Sequence, residues 1–133
     1  MSLKITPRAT FAIRGILDHS RTMARLMLRI DLDGKGSIGP GKVRLLELID
    51  EHGSIRRAGS HLKMSYARAW GLVRDLNETF GAPVVNAAPG GKHGGGATLT
   101  ALGHKVIDAY RTAERRAERA TRPQIAGLLR QAK

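Results

Sequence analysis

Residues 53–81 read GSIRRAGSHLKMSYARAWGLVRDLNETFG, and this stretch decides the fold because it divides into a short helix, a tight turn and a longer helix. Ser54 stands where an N-cap would begin the first helix. The apolar residues of that helix recur on one face: Ile55, Ala58 and Leu62. Gly59 is a small residue at the point where two consecutive helices have to approach closely. The pattern predicts a helix-turn-helix.

The second helix is predicted to begin after Ser65 as its N-cap and to end at Gly81. Its apolar residues lie at spacings of three and four: Ala69, Val73, Leu76 and Phe80. Trp70 adjoins this stripe, so we interpret it as an anchor in the core rather than as a platform for base stacking. The opposite face carries polar or small residues, mostly towards the N-terminal end: Ser65, Tyr66, Arg68, Gly71 and Arg74.

The N-terminal end of the second helix is the part that contacts base edges in helix-turn-helix proteins. We therefore predict that four residues face the major groove of DNA: Ser65, Tyr66, Arg68 and Gly71. Arg57 and Arg74 are predicted to contact the phosphate backbone. For the arginines, ordinary solvated charge on a helix is the alternative interpretation.

A glycine-rich hairpin is predicted directly after the second helix. Two β-prone pieces, 84–87 and 97–100, are joined at 89–96 by PGGKHGGG, in which five of eight residues are glycine. Such a loop is sterically bare and can lie close to a sugar-phosphate backbone, with Lys92 and His93 as its predicted DNA contacts. This is typical of the wing of a winged helix. A plain exposed loop and an anion-binding enzyme loop are the alternatives, and the enzyme loop is disfavoured because a strand follows instead of a helix N-terminus.

The glycines of GKGSIGPGK, residues 34–42, fit two short nucleotide-binding patterns. A phosphate-binding loop needs Ser or Thr after its lysine to hold magnesium, but Val43 follows Lys42. A dinucleotide site needs an acidic residue about twenty positions further on, after a second strand, and that region is basic and helical in pattern. We therefore interpret these glycines as a turn between a strand at 27–33, MLRIDLD, and a helix.

The composition narrows the class of protein. A chain of 133 residues with 41% hydrophobic residues suits one domain with a modest core. It contains no cysteine, which excludes disulfides, thiolate zinc sites and cysteine nucleophiles. No apolar run is long enough to cross a membrane and no signal sequence is present, so no membrane partner and a cytoplasmic, nucleoid-associated location are expected.

The formal net charge of +12 favours double-stranded DNA as the partner. Residues 26–100 carry ten basic and seven acidic side chains, whereas residues 1–25 carry five and one and residues 101–133 carry eight and three. A nearly balanced middle between basic flanks predicts a DNA-binding domain at 26–100 with cationic extensions on both sides. A generally solvated basic surface is the alternative.

Several of these motifs together resemble the N-terminal DNA-binding domain of the ModE-type, molybdate-responsive transcriptional regulators of bacteria. The resemblance covers about residues 27–112 and is carried by IGPGKVRLLELIDEHGSI, MSYARAW, LNETFG, GGKHGGGATLTALG and the tyrosine of VIDAY. It implies a winged helix-turn-helix that dimerises and binds palindromic operators. Members of the family carry a molybdate-binding region after this domain, and the sequence leaves no room for one, so molybdate binding by this chain alone is not expected. Residues 1–25 lie outside the resemblance.

A C-terminal helix is predicted after Thr100, which is placed as its N-cap. Small and apolar residues recur along it at alternating spacings of four and three: Val106, Tyr110, Ala113 and Ala117. This seam predicts that 101–133 is a helical dimerisation segment and that the protein is a homodimer. Pro123 is expected to break the helix, with a short final helix after it.

These patterns predict an α+β winged helix-turn-helix protein that acts as a sequence-specific transcriptional regulator and not as an enzyme, without a cofactor. The alternative is a non-specific architectural DNA-binding protein whose basic flanks supply most of the affinity. A metal enzyme built on the five histidines is disfavoured because no two of them lie four residues apart on one helix face.

Overall fold

The computed structural model describes residues 24–88 and 96–133. Met27–Ala113 form one compact unit, and Glu114–Lys133 belong to a second. The elements follow one another as β1 Ile30–Asp31, β2 Ser37–Ile38, α1 Pro40–His52, α2 Ile55–His61, α3 Tyr66–Phe80, β3 Val85–Ala87, β4 Ala97–Leu99 and α4 Ala101–Gln131. Strand β1 pairs with β2 and β3 with β4, both antiparallel. This combination of helices and small hairpins confirms the predicted α+β class.

The glycine-rich segment 34–42 contains a strand that the sequence pattern did not predict. The backbone N–H of Leu32 donates to the Gly36 carbonyl at 2.8 Å, which closes a turn after β1. Strand β2 then runs back along β1, so that Ile38 lies opposite Ile30. Gly39 follows as the N-cap of α1, and Pro40 occupies its first turn, where a missing N–H costs nothing. The predicted strand at 27–33 is therefore only two residues long.

Helix α1 forms the centre of the core, and its apolar residues are almost fully buried: Val43, Leu45, Leu46, Leu48 and Ile49. The predicted stripe of α3 is buried at Ala69, Val73 and Leu76 but only half-buried at Phe80. Thr79 is buried in its place. Its hydroxyl donates to the Asp75 carbonyl at 2.7 Å, which removes the cost of an unpaired polar group there.

Two serine side chains cap the N-termini of α2 and α3, as predicted. The side chain of Ser54 accepts from the Arg57 N–H, and that of Ser65 from the Arg68 N–H, each at 3.1 Å. Between α2 and α3 the chain passes through Lys63 with φ 57, a left-handed conformation that costs a non-glycine residue about 1–2 kcal/mol. The backbone N–H groups of Lys63 and Met64 donate to carbonyls of α2, which stabilises this turn.

Helices α2 and α3 touch at Gly59, as the sequence pattern required. A Cβ atom at Gly59 would lie 3.1 Å from the Cβ of Ala69 and 3.5 Å from Met64. Both Gly59 and Ala69 are buried. A larger side chain on either helix would push the two apart, because packed interiors leave no space for extra methyl groups.

The first three turns of α4 belong to the core of the compact unit. Thr100 is the N-cap, since its side chain accepts from the Gly103 N–H at 3.1 Å. The Tyr110 hydroxyl donates to the Leu28 carbonyl at 2.7 Å. Arg111 donates to both carboxylate oxygens of Glu47 on α1, at 2.8 and 2.9 Å, and both side chains are largely buried. The contacts of Tyr110 and Arg111 join residues that are 82 and 64 positions apart in the sequence.

This placement corrects the predicted dimer seam at its first two positions. Val106 is 6% exposed and Tyr110 is 1% exposed, and both pack in the core of their own chain. Their side chains are therefore not available to a partner helix. The repeat of four and three that suggested a seam between two copies here marks, at these two positions, the face of α4 that packs in the core of its own chain. Ala113 and Ala117 are half-buried.

The expectation that Pro123 ends the helix is wrong. Helix α4 runs through Pro123 and continues to Gln131. Proline removes one backbone hydrogen bond, which leaves the carbonyl of Arg119 without its usual partner. Arg119 and Pro123 are both exposed, so water can satisfy that carbonyl.

We predict that Gly59→Val destabilises the compact unit by about 1–3 kcal/mol, because the added methyl groups meet Ala69 and Met64. Ser60→Val is the matched control, since Ser60 is the next residue of the same helix and is exposed. Urea unfolding followed by circular dichroism measures both changes. Equal destabilisation by the two variants would show that helix propensity, and not the contact with α3, is responsible.

Candidate nucleic-acid interface

Helix α3 turns one face into the core and the other towards solvent. Its buried residues are Ala69, Val73, Leu76 and Thr79. The predicted DNA-binding residues of this helix and its cap lie on the outer side, where all are exposed except the half-buried Gly71: Ser65, Tyr66, Arg68, Gly71 and Arg74. The fold therefore leaves the predicted set accessible around the N-terminal part of α3, and we call this exposed surface the α3 face.

Charge is unevenly distributed along α3. The first half contains Arg68 and no acidic residue, whereas Arg74, Asp75 and Glu78 lie in the second half. The N-terminus of a helix also carries the positive end of the backbone dipole. The exposed N-terminal half of α3 is therefore the end that attracts a polyanion.

The arginine side chains of this surface have no partner among the described residues. Neither Arg68 nor Arg74 forms a side-chain hydrogen bond or ion pair with that part of the chain, and the same holds for Arg57 on α2. All three are exposed. Their guanidinium groups are consequently available to an external ligand such as a phosphate or a base edge.

A cluster of three side chains lies at the start of α3, and the sequence pattern predicted only one of them as a DNA contact. The indole N–H of Trp70 donates to the Tyr66 hydroxyl at 2.7 Å. The guanidinium of Arg56 lies over the Tyr66 ring, 4.4 Å from its centroid. Trp70 also packs against the core, as predicted, but it is only half-buried. The four-residue spacing of Tyr66 and Trp70 was the signal available for their contact.

Gly71 has no packing reason within the described residues to lack a side chain. A Cβ atom there would meet only the terminal Nη2 of Arg74, at 3.9 Å. Glycine within a helix costs about 0.5–1 kcal/mol relative to alanine. A bare position on the α3 face leaves the backbone open to close approach from outside.

The predicted wing is a hairpin whose base is attached to the helices. Strands β3 and β4 pair with Val85 opposite Leu99, as the sequence predicted to within one residue at each end. The N–H of Ala97 donates to the Gly53 carbonyl at 2.9 Å, and the N–H of Val84 donates to Asn77 Oδ1 at 2.8 Å. Lys92 and His93 lie outside the described residues.

Two histidines, one at the end of α1 and one at the end of α2, lie together. The rings of His52 and His61 stack with centroids 4.2 Å apart. In residues 24–88 and 96–133, no group of three or more histidine, aspartate or glutamate side chains is arranged to hold a metal ion. No helix in those ranges is both long and apolar enough to cross a membrane.

A comparison with known protein families finds a match to the part of the chain that contains the helix-turn-helix and the hairpin. Residues 41–104 match the family described as "Bacterial regulatory helix-turn-helix protein, lysR family". This range begins in α1, contains the whole helix-turn-helix and the hairpin, and ends in the first turn of α4.

Curated relatives bear names that refer to molybdenum or to transcription. The molybdenum-pterin-binding protein MopB of Rhodobacter capsulatus is 49% identical over 73 residues, which are 55% of this chain and 27% of MopB. The molybdenum transport protein ModE of Azotobacter vinelandii is 36% identical over 95 residues, 71% of this chain and 34% of the relative. The DNA-binding transcriptional dual regulator ModE of Escherichia coli K12 is 34% identical over 87 residues, 65% and 33%. The chain thus spans about a quarter to a third of the length of these relatives.

The fold has a counterpart of known structure. The crystal structure of full-length CbnR complexed with its target DNA is similar with a TM-score of 0.51 and 19% identity, over 63% of this chain and 27% of that one. The family match, the ModE relatives and the arrangement of α2, α3 and the hairpin agree with one another. The Met27–Ala113 unit is therefore a winged helix-turn-helix domain of the ModE type.

Proposed function

We propose that the protein is a dimeric regulator of transcription that recognises a specific DNA sequence in the bacterial cytoplasm, where it associates with the nucleoid. Residues 65–80 form the recognition helix in the major groove, and the wing at 89–96 lies on the flanking backbone. The observation that carries the proposal is the α3 face, which is accessible and free of acidic residues in the N-terminal half of the helix. The E. coli relative is named a DNA-binding transcriptional regulator, which supports the same conclusion.

The residues of this surface divide into two roles. Ser65, Tyr66, Arg68 and Gly71 read base edges, because they lie at the end of α3 that enters the groove in this fold. Arg57 and Arg74 contact phosphates, as does the wing through Lys92 and His93. Phosphate contacts fix the orientation of the protein on the duplex, whereas base contacts select the sequence.

Dimerisation is proposed for the part of α4 that follows the core contacts. Ala113 and Ala117 are half-buried small residues, and Leu128 and Leu129 are 69% and 44% exposed. Exposed leucines on a helix are suited to a partner helix. In a symmetric dimer of this kind the two recognition helices lie about 34–36 Å apart, and they read half-sites one helical turn apart.

A non-specific architectural protein is the second candidate, and the net charge of +12 favours it. Selection of preferred sequences from a random DNA pool at two salt concentrations separates the two. We expect a palindromic motif with half-sites one turn apart. Recovery of no motif, together with an affinity that collapses as salt rises, would support the architectural protein instead, because counterion release dominates non-specific binding.

Arg68→Ala and Lys92→Ala are expected to have different effects on DNA binding. Arg68→Ala should cost about 1–3 kcal/mol on the preferred site and relax its specificity at one or two base pairs, because it removes a base contact. Lys92→Ala should weaken binding to all sequences alike and lower the salt slope by about one unit, because it removes a phosphate contact. Titrations of the preferred site and of random DNA at several salt concentrations measure both. Equal losses of Arg68→Ala on the two DNAs would contradict the base contact.

Gly71→Ala is expected to raise the stability of the domain and to lower its affinity for DNA. The added methyl group meets only the end of Arg74, and alanine favours a helix by about 0.5–1 kcal/mol. The same group projects from the α3 face and holds the helix back from the groove. Thermal unfolding and a titration of the preferred site give the two readouts. A stabilised variant with unchanged affinity for DNA would show that Gly71 is not part of the interface. If the affinity falls while the stability rises, partial unfolding cannot be the reason for the loss.

A further inference from the structure

Tyr66 is held in place by two neighbours although its side chain is 40% exposed. Trp70, one turn further along α3, donates its indole N–H to the Tyr66 hydroxyl at 2.7 Å. Arg56 on α2 covers the ring, with its guanidinium carbon 4.4 Å from the centroid. An exposed tyrosine with no partners would move between rotamers, and ordering such a side chain has an entropic cost. Both contacts restrict the ring before any ligand arrives.

The hydrogen bond from Trp70 also determines which way the Tyr66 hydroxyl can act. Indole is a donor only, so the phenolic oxygen accepts from it. The hydroxyl hydrogen must then point away from Trp70, because two hydrogens cannot face each other across the same contact. The described residues offer no acceptor for that hydrogen. A donor that is fixed and exposed, with no acceptor among the described residues, lies at the N-terminal end of α3.

We infer that Arg56, Tyr66 and Trp70 form a preorganised donor in which Tyr66 gives its hydroxyl hydrogen to an acceptor atom on a DNA base edge. Trp70 and Arg56 are positioning residues that orient the ring. The major-groove edge of DNA presents acceptors of this kind on guanine, adenine and thymine. Trp70, which the sequence pattern assigned only to the core, thereby acquires a second role in specificity. This inference rests on the proposed function.

A double-mutant cycle with Tyr66→Phe and Trp70→Phe tests the inference. Each single variant is expected to weaken binding to the preferred site by about three- to tenfold, the effect of losing one hydrogen bond. The double variant should bind about as well as Tyr66→Phe alone, because Trp70 acts through the Tyr66 hydroxyl. Losses that multiply would overturn the positioning role of Trp70. Equal losses on random DNA would assign the hydroxyl to a phosphate and overturn the base contact.

The indole resonance provides a second measurement that does not depend on the folding of the Trp70 variant. Trp70 is the one tryptophan in the sequence, so its side-chain N–H gives a single assignable NMR signal. Tyr66→Phe is expected to shift that signal upfield, because the N–H loses its acceptor. Tyr110→Phe is the matched control, since it removes the other tyrosine hydroxyl, which bonds to Leu28. An indole signal that does not respond to Tyr66→Phe would overturn the proposal.

Arg56→Lys tests the contribution of the stacked guanidinium. The substitution keeps the charge but loses the planar contact with the ring. Binding to the preferred site should weaken by about two- to fivefold, the usual size of an exposed cation–π contact, while the salt slope stays the same. Unchanged affinity would show that Arg56 does not help to position Tyr66.

The failure of this inference is distinguishable from the failure of the proposed function. If the wild-type protein showed no preferred DNA sequence, the proposed function would fail. If it showed a preferred sequence but the losses of Tyr66→Phe and Trp70→Phe multiplied, this inference alone would be rejected.

Discussion

At Gly59 the backbone of α2 passes so close to α3 that an added Cβ would lie 3.1 Å from the Cβ of Ala69. This contact sets the spacing between the two helices, and the serine caps and the left-handed Lys63 set the turn that joins them. Because α3 is buried along Ala69, Val73 and Leu76, its opposite side has to face solvent. The accessible α3 face is thus the part of the helix that does not pack into the core.

Contacts between residues far apart in the sequence join the other elements of the compact unit to one another. The bidentate pair of Glu47 and Arg111 joins α1 to α4, and Tyr110 joins α4 to Leu28. A buried ion pair does not guarantee net stability, but removal of one partner would leave an uncompensated charge. For Arg44, close to this pair on α1, burial lowers the pKa, while Glu47 and Glu51 act in the opposite direction. The base of the hairpin is attached at Gly53, which follows α1, and at Asn77 on α3.

The surface and the core of α3 are coupled through Trp70. Its ring packs against the core while its N–H reaches the exposed Tyr66. A residue that serves both purposes transmits the rigidity of the interior to a side chain at the surface, and rigid side chains lose less entropy on binding. Gly71 differs from Trp70 in that it lowers the stability of the helix. The missing side chain leaves the backbone accessible at that position.

The sequence by itself determined the local elements, because caps, turn glycines and apolar periodicity act over a few residues. It placed Ser54, Ser65 and Thr100 as caps, the stripe of α3 and the strands of the wing. Only the tertiary structure decided what each apolar face touches. Val106 and Tyr110 face their own core and not a partner, Thr79 is buried because Gly36 packs on it, and Arg56 reaches Tyr66 from another helix. A helical repeat of apolar residues indicates that one face of a helix is buried. It does not indicate whether that face packs against its own core or against a partner, because the sequence pattern is the same in both cases.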